Sequence, residues 1–311
     1  MRTPDFTLAS QYIQHIGDQI AAKGVAVPLW LQQSGLPGNW LEEPTPGISL
    51  PVLERLVGEA ISMTREPAIG LLVGERLLVN THGMLGYAAM SSVTIRQMLE
   101  LFEHFIRLRI ALITARHEVH ADEVRLRFTE VLPLGDIRRP VLECVLLAVK
   151  NVLDFITMGT CRISYIAFPF ERPDYAVLAE GLFKCEVRYG QSWAGFSMPP
   201  EQLDTPLKMA DPAAFQEAAL ICRRELDKLS ANESLSARVQ RVLLEKQNGF
   251  PSLAVTARLF HMTPRTLHRR LQQEGTSFQD ILEQIRHTLA LEHLKANRLS
   301  IQEIAYALGY T

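Results

Sequence analysis

The chain has 311 residues, of which 47% are hydrophobic, 21% charged and 7% aromatic; this excludes a disordered or low-complexity protein and leaves room for two domains, or three if one is small. The net charge of −2 is held unevenly: from Ala231 onward ten Lys/Arg stand against seven Asp/Glu, and before it 22 against 27. A mildly acidic larger part joined to a smaller basic part points to a polyanion as the partner of the smaller part.

The opening stretch MRTPDFTLASQYIQHIGDQI lacks an unbroken apolar run, because Gln14, His15, Asp18 and Gln19 interrupt it. A secretory route is not expected, and the chain reads as cytoplasmic. Further on, TIRQMLELFEHFIRLRI begins with Thr94 and Gln97 in capping-box spacing and sets Ile95, Met98, Leu99, Phe102, Phe105, Ile106 and Arg109 along one helical face. Val124, Leu126 and Phe128 then alternate with Arg125, Arg127 and Thr129, a half-buried strand entered through a hairpin turn near Ala121 and Asp122.

Pro140 is expected to open a second helix, with Leu142, Val145, Leu146, Val149, Leu153 and Ile156 at helical spacing. Its apolar stretch carries Glu143, Lys150 and Asp154, so it reads as a buried amphipathic helix and no membrane is implied. Residues 163–170 and 185–196 read as further strands. Helices and strands without a regular βαβ rhythm predict an α+β domain. A helix from about Pro212 to Leu229 leads to SANES, Ser230 to Ser234, the expected linker, and everything beyond it reads as helix.

A displacement of 48 residues lays SLAVTARLFHMT, from Ser252, over SIQEIAYALGYT, from Ser300. Both units start on a serine cap and are expected to bury the same positions, with small Ala257 and Ala305 where two helices cross. The turn residue is Gly309 in the second unit and His261 in the first, a residue that tolerates positive φ better than most. In the first unit a second helix follows: TPRTLHRRLQQEG has Thr263 as N-cap, Pro264 at the first helical position and Gly275 just past the end. Leu267 and Leu271 must face the preceding helix. That turns Arg265, His268, Arg269 and Gln272 to the opposite side, at i, i+3, i+4 and i+7. Arginine suits guanine O6 and N7, and glutamine suits adenine. Between the units, Phe278, Ile281, Leu282, Ile285, Leu289 and Leu294 keep close to a helical period, long enough to space two helix-turn-helix units along DNA.

These residues resemble the AraC/XylS family of bacterial transcription regulators. SFQDILEQIRHTLALEHLKANRLSIQEIAYALGYT follows the family pattern almost position by position, and the first unit departs from it at His261, where the family usually has glycine. HGMLGYAAMSS (from His82) and FPFERPDYAVLAEGLFKCEVRYGQSWAGFSMPPEQLDTPLKMAD (from Phe168) resemble the branch with an arabinose-binding-type effector domain, to which the ornithine-utilisation regulators belong. The resemblance implies an α+β effector and dimerisation domain over residues 1–211, a connecting helix and linker over 212–234, and an all-α DNA-binding domain over 235–311 with two helix-turn-helix units, the second incomplete. It implies base contacts from Arg265, His268, Arg269 and Gln272, and phosphate contacts from Ser252, Thr263 and Thr266. Its implied partners are promoter DNA, a small-molecule effector, a second copy of the chain and RNA polymerase, with no cofactor. The expected role is an effector-responsive activator reading the major groove with residues 263–274. The second reading helix would begin at Thr311, where the chain stops; the alternative expectation is an effector-sensing, dimerising module with little DNA binding of its own.

An enzyme is the competing class. No G-x-S-x-G, H-E-x-x-H, P-loop or G-x-G-x-x-G occurs. His117 and His120 raise the question of a metal, but residues three apart on a strand point to opposite faces, so none is expected. The scattered Cys144, Cys161, Cys185 and Cys222 read as reduced buried thiols. The effector site is not legible: Arg107, Arg109, Arg138, Arg139 and Tyr87 could meet an acidic ligand, and each also suits a surface or packing role.

Overall fold

A computed structural model describes residues 8, 10–43, 48–232, 234–244, 250–296 and 300–309. The chain packs as two compact units, one of Met1–Glu130 with Leu134–Lys228 and the other of Val131–Pro133 with Leu229–Thr311.

The first unit opens with six helices, α1 (Ser10–Ala22), α2 (Val27–Gln33), α3 (Leu50–Thr64), α4 (Ile69–Arg76), α5 (Gly83–Met90) and α6 (Ile95–Phe105). Only α6 was expected. It buries Ile95, Met98, Leu99, Phe102 and Phe105 as its spacing requires, and Thr94 Oγ1 accepts from Gln97 N–H at 3.3 Å. The reciprocal arm is displaced by one residue, since Gln97 Oε1 accepts from Val93 N–H at 2.8 Å. A 3-10 turn over Ile106–Leu108 ends the helical face before Arg109.

A hairpin of β1 (Ile113–Val119) and β2 (Val124–Glu130) follows, with Val124, Leu126 and Phe128 buried. Next come α7 (Arg138–Ile156), β3 (Tyr165–Ala167), α8 (Ala176–Phe183), β4 (Glu186–Arg188), β5 (Ala194–Met198) and α9 (Pro212–Asn232). The sheet order is β1-β2-β5-β3-β4, with β3 and β4 parallel and the other pairs antiparallel. Three expectations need correction. The strand read over 185–196 is two strands, because Tyr189 to Trp193 turns the chain with Gly190 at positive φ. α7 starts two residues before Pro140, which a first-turn proline permits. The helix before SANES runs on to Asn232, so three of the five residues read as linker are helical; none of Ser230, Ala231 and Asn232 forbids that.

α7 is the spine of this unit. Gly70 and Gly74 of α4 let its backbone meet that of α7: a Cβ on Gly70 would lie 2.3 Å from the Pro140 carbonyl oxygen, and one on Gly74 would lie 2.9 Å from that of Cys144. Glu143 of α7 is wholly buried and accepts from the Tyr175 hydroxyl at 2.9 Å. Burial raises its pKa to about 7, against the pull of Tyr175 and Arg139. Burial likewise pushes the thiols of Cys161, Cys185 and Cys222 to about 11 and that of Cys144 to about 12, so all four stay protonated near neutrality.

The second unit is helical: α10 (Leu235–Leu244), α11 (Leu253–Leu259), α12 (Pro264–Gln273), α13 (Phe278–Ala296) and α14 (Ile301–Ala307). Its core holds Leu235, Val239, Leu243, Ala257, Leu267, Leu271, Phe278, Ile281, Leu282 and Ile285. The repeat holds in the backbone but not fully in burial. Ile304 and Leu308 are buried, whereas Ile301 is 79% exposed where its counterpart Leu253 packs on the core. α14 presses on α13 along one face, and among the described residues nothing covers Ile301. Leu294, read as a core position of α13, is also exposed. Thr256, the counterpart of Ile304, is fully buried and its Oγ1 has no hydrogen-bond partner.

Three outcomes test this packing. Gly70→Ala is expected to lower the stability read from urea unfolding by about 3 kcal/mol, because backbone must move, while Gly181→Ala, whose Cβ meets nothing within 4 Å, is neutral or stabilising. Glu143 has a folded pKa above its ordinary 4.5, so the stability it lends below that value is lost as pH rises through about 7. Glu143→Gln should therefore raise the free energy of unfolding at pH 8, by up to about 3 kcal/mol, with the gain vanishing toward pH 4. Thr256→Val keeps the shape, removes an unpaired hydroxyl and should stabilise by about 1 kcal/mol in the same unfolding assay; a loss of that size would mean the hydroxyl is satisfied in solution.

Candidate nucleic-acid interface

The exposed face of α12 is fixed by what holds its other side. Leu267 and Leu271 are fully buried in the core of the second unit, and at helical spacing that leaves Arg265, His268, Arg269 and Gln272 together on the opposite side. All four are exposed. Within the helix three arginines and a histidine meet no acidic residue.

Both ends of the helix-turn-helix are locked. Ser252 caps α11, its Oγ accepting from Val255 N–H at 3.3 Å, and Thr263 caps α12, its Oγ1 accepting from Thr266 N–H at 3.2 Å. Pro264 follows at the first helical position. α11 closes on His261, which has φ 53°: Met262 N–H reaches the Ala257 carbonyl at 2.8 Å and His261 N–H that of Arg258 at 3.0 Å. This is a Schellman closure with histidine in the left-handed site, the conformation Gly309 takes 48 residues later at φ 73°. Gly275 closes α12 in the same way, with Thr276 N–H on the Leu271 carbonyl at 3.0 Å.

One residue that fixes α12 was not anticipated. Glu274, just past its end, turns its carboxylate to the start of α10 and accepts from Leu235 N–H at 2.7 Å and Ser236 N–H at 2.8 Å. A carboxylate is favoured at a helix N-terminus, and its charge is thereby directed away from the basic face. The sequence carries no signal for it, because the partners are 38 and 39 residues apart. Arg238 lies over Phe260 at 5.0 Å and Arg286 over Phe250 at 5.6 Å, so these two cations also serve the core. The phosphate candidates Ser252 and Thr263 are exposed and Thr266 is half-buried, with its hydroxyl 2.9 Å from that of Thr263. Thr311, where a second reading helix was expected to begin, lies outside the described residues.

The other candidates are dispersed. His117 Nδ1 pairs with Glu103 at 2.8 Å, while His120 lies past the end of β1, its Nε2 3.6 Å from Glu118. Among the described residues no group of three or more His, Cys, Asp or Glu could hold a metal ion, and no helix is long and apolar enough to cross a membrane. Tyr87 is exposed, Arg107 is half-buried, Arg138 pairs with Glu130 and Arg139 lies over the Phe170 ring. Arg109 alone of these lines the cavity of the first unit.

Two domain families match the chain: the arabinose-binding domain of AraC transcription regulator, N-terminal, over residues 24–207, and a helix-turn-helix domain over residues 256–311. The chain is 29% identical over 299 residues to the Ornithine utilization regulator of Pseudomonas aeruginosa, covering 96% of this chain and 88% of that one. It is 25% identical over 249 residues to the HTH-type transcriptional regulator VqsM of the same species, covering 78% and 76%. The crystal structure of the transcriptional regulator CdpR from Pseudomonas aeruginosa aligns over 92% of this chain and 90% of that one, at 25% identity and a TM-score of 0.48. With its first domain matched over more than half of the chain and its helix-turn-helix over the last 56 residues, the chain belongs to the AraC family of DNA-binding transcription regulators, whose members bind promoter DNA and effectors.

Proposed function

We propose that α12 enters the major groove and reads base edges with Arg265, His268, Arg269 and Gln272. The observation that carries this is the pairing of fully buried Leu267 and Leu271 with an acid-free, exposed basic face on a helix closed at both ends. Such a helix presents its side chains with little freedom, as base readout requires. Ser252, Thr263 and Thr266 are assigned to phosphates. The Ser252 hydroxyl accepts from its own helix, which leaves its O–H to donate to a phosphate oxygen; Thr263 and Thr266 share one hydrogen bond between their hydroxyls, which leaves one O–H of the pair for the same use.

In this reading the chain is an effector-responsive activator working in the cytoplasm as a homodimer that contacts RNA polymerase. Residues 1–211 sense the effector and dimerise, 212–234 connect, and 235–311 bind DNA. The match of the arabinose-binding domain of AraC transcription regulator to residues 24–207 supports the sensing role.

The DNA site can be obtained by selecting duplexes from a random library on the purified chain. On the selected duplex Arg269→Ala is expected to cost about 1–3 kcal/mol of binding, with a much smaller loss on random duplex. An equal loss on both would make Arg269 a phosphate contact and overturn its assignment to bases.

A further inference from the structure

A cavity of about 130 Å³ lies within the first unit, walled by α1, α3, α4, α6 and α7. Leu53, Val73, Phe102, Val145 and Ala148 give it a surface that is almost wholly carbon, and among the described residues no acidic side chain lines it. Its polar side chains are the Cys144 thiol and a mutually interacting set, Tyr12, His82 and Arg109.

Those three are not at rest with one another. The Tyr12 hydroxyl lies 3.0 Å from His82 Nδ1. Burial, reinforced by the Arg109 cation, lowers the His82 pKa to about 4, so the imidazole is neutral near pH 7, and burial keeps the Tyr12 phenol protonated. A protonated Tyr12 hydroxyl can donate to Nδ1, the arrangement that puts the ring proton on Nε2. That Nε2 is buried with no partner, on a residue only 9% exposed, and Arg109 Nε is buried and unpartnered as well. The Arg109 Nη2 finds Glu225 only at 4.0 Å. Two unmatched N–H donors beside a carbon-walled space, one of them the guanidinium's own, are uncommon in a folded core.

We propose that this cavity binds a small carboxylate with one apolar body, a short alkyl chain or a single aromatic ring, its carboxylate taking the His82 Nε2 and Arg109 donors. The size suits that body, since engineered cavities of roughly 150 Å³ hold benzene. A sugar would bury hydroxyls against carbon with too few partners. A zwitterion would bring an ammonium where, among the described residues, no acidic side chain lines the wall and Arg109 already holds positive charge. The proposal rests on the effector-response reading only in making this ligand the effector.

Calorimetric titration of the full chain with butyrate, hexanoate, octanoate, decanoate and benzoate, and with their alcohols, tests it. At least one acid should bind saturably and at least about tenfold more tightly than its alcohol, a difference of the size a charge-assisted hydrogen bond gives. Arg109→Gln should erase that preference, and Ala148→Phe, which fills the space, should abolish binding of both; Val145→Phe serves if the first filled variant unfolds. If no acid binds, if binding survives both filled variants, or if Arg109→Gln leaves the preference intact, the proposal is overturned. The affinity for the selected duplex is measured with and without the bound acid. A change supports the ligand as effector, whereas binding lost in the filled variants together with unaltered DNA affinity keeps the site and overturns the effector-response reading alone.

Discussion

The first unit depends on how closely α4 can approach α7. Helices usually pack some 8–10 Å apart with side chains between them. At Gly70 and Gly74, one turn apart, there is no side chain on α4, and the α7 backbone at Pro140 and Cys144 occupies the space a Cβ would need. α7 also packs on α5, α8 and β5, so a shift at this crossing would be felt across the unit. The cavity lies beside the crossing: Gly70 and Val73 line it from α4, and Pro140, Val141 and Cys144 from α7.

Buried polar groups in this unit divide into two kinds. Glu143 is deep but served, with the Tyr175 hydroxyl as donor and Arg139 nearby, and its proton affinity is raised by burial. Lys150, nearly as deep on the same helix, pairs with Asp154 one turn later. His82 and Arg109 are different, since each keeps a buried nitrogen without a partner. Native interiors tolerate few such groups, and the ones that persist beside a cavity mark where a ligand would complete the hydrogen bonding.

In the second unit the corresponding constraint is burial of Leu267 and Leu271, which sets the rotation of α12 about its axis. Position along the axis is set separately, by the Schellman closure at His261 and by the Glu274 carboxylate on the N-terminus of α10. Histidine at φ 53° is a modest strain, on the order of 1 kcal/mol, that the surrounding contacts hold. The same turn recurs at Gly309, so the backbone of the motif is repeated while its burial is not: Ile301 lies in solvent where Leu253 does not.

The sequence by itself determined what depends on local chemistry. The serine and threonine caps, the proline at the start of α12, the turns at His261 and Gly309, the hairpin around residues 120–123 and the buried stripe of α6 all follow from neighbours within one or two helical turns. The exposed face of Arg265, His268, Arg269 and Gln272 followed too, because helical spacing ties it to Leu267 and Leu271. Among the helices not expected, α3 was legible, with Leu50, Leu53, Leu56, Val57 and Ala60 at helical spacing behind Ser49 and Pro51, whereas α5 is apolar nearly all round and α4 hides two glycines whose purpose is a neighbour 70 residues away. Only the tertiary structure decided that Tyr12, His82 and Arg109 line one cavity, that Glu274 caps α10, and that Ile301 stays exposed. These are contacts between residues far apart in the chain, and periodicity carries no information about which face of one helix will meet which face of another.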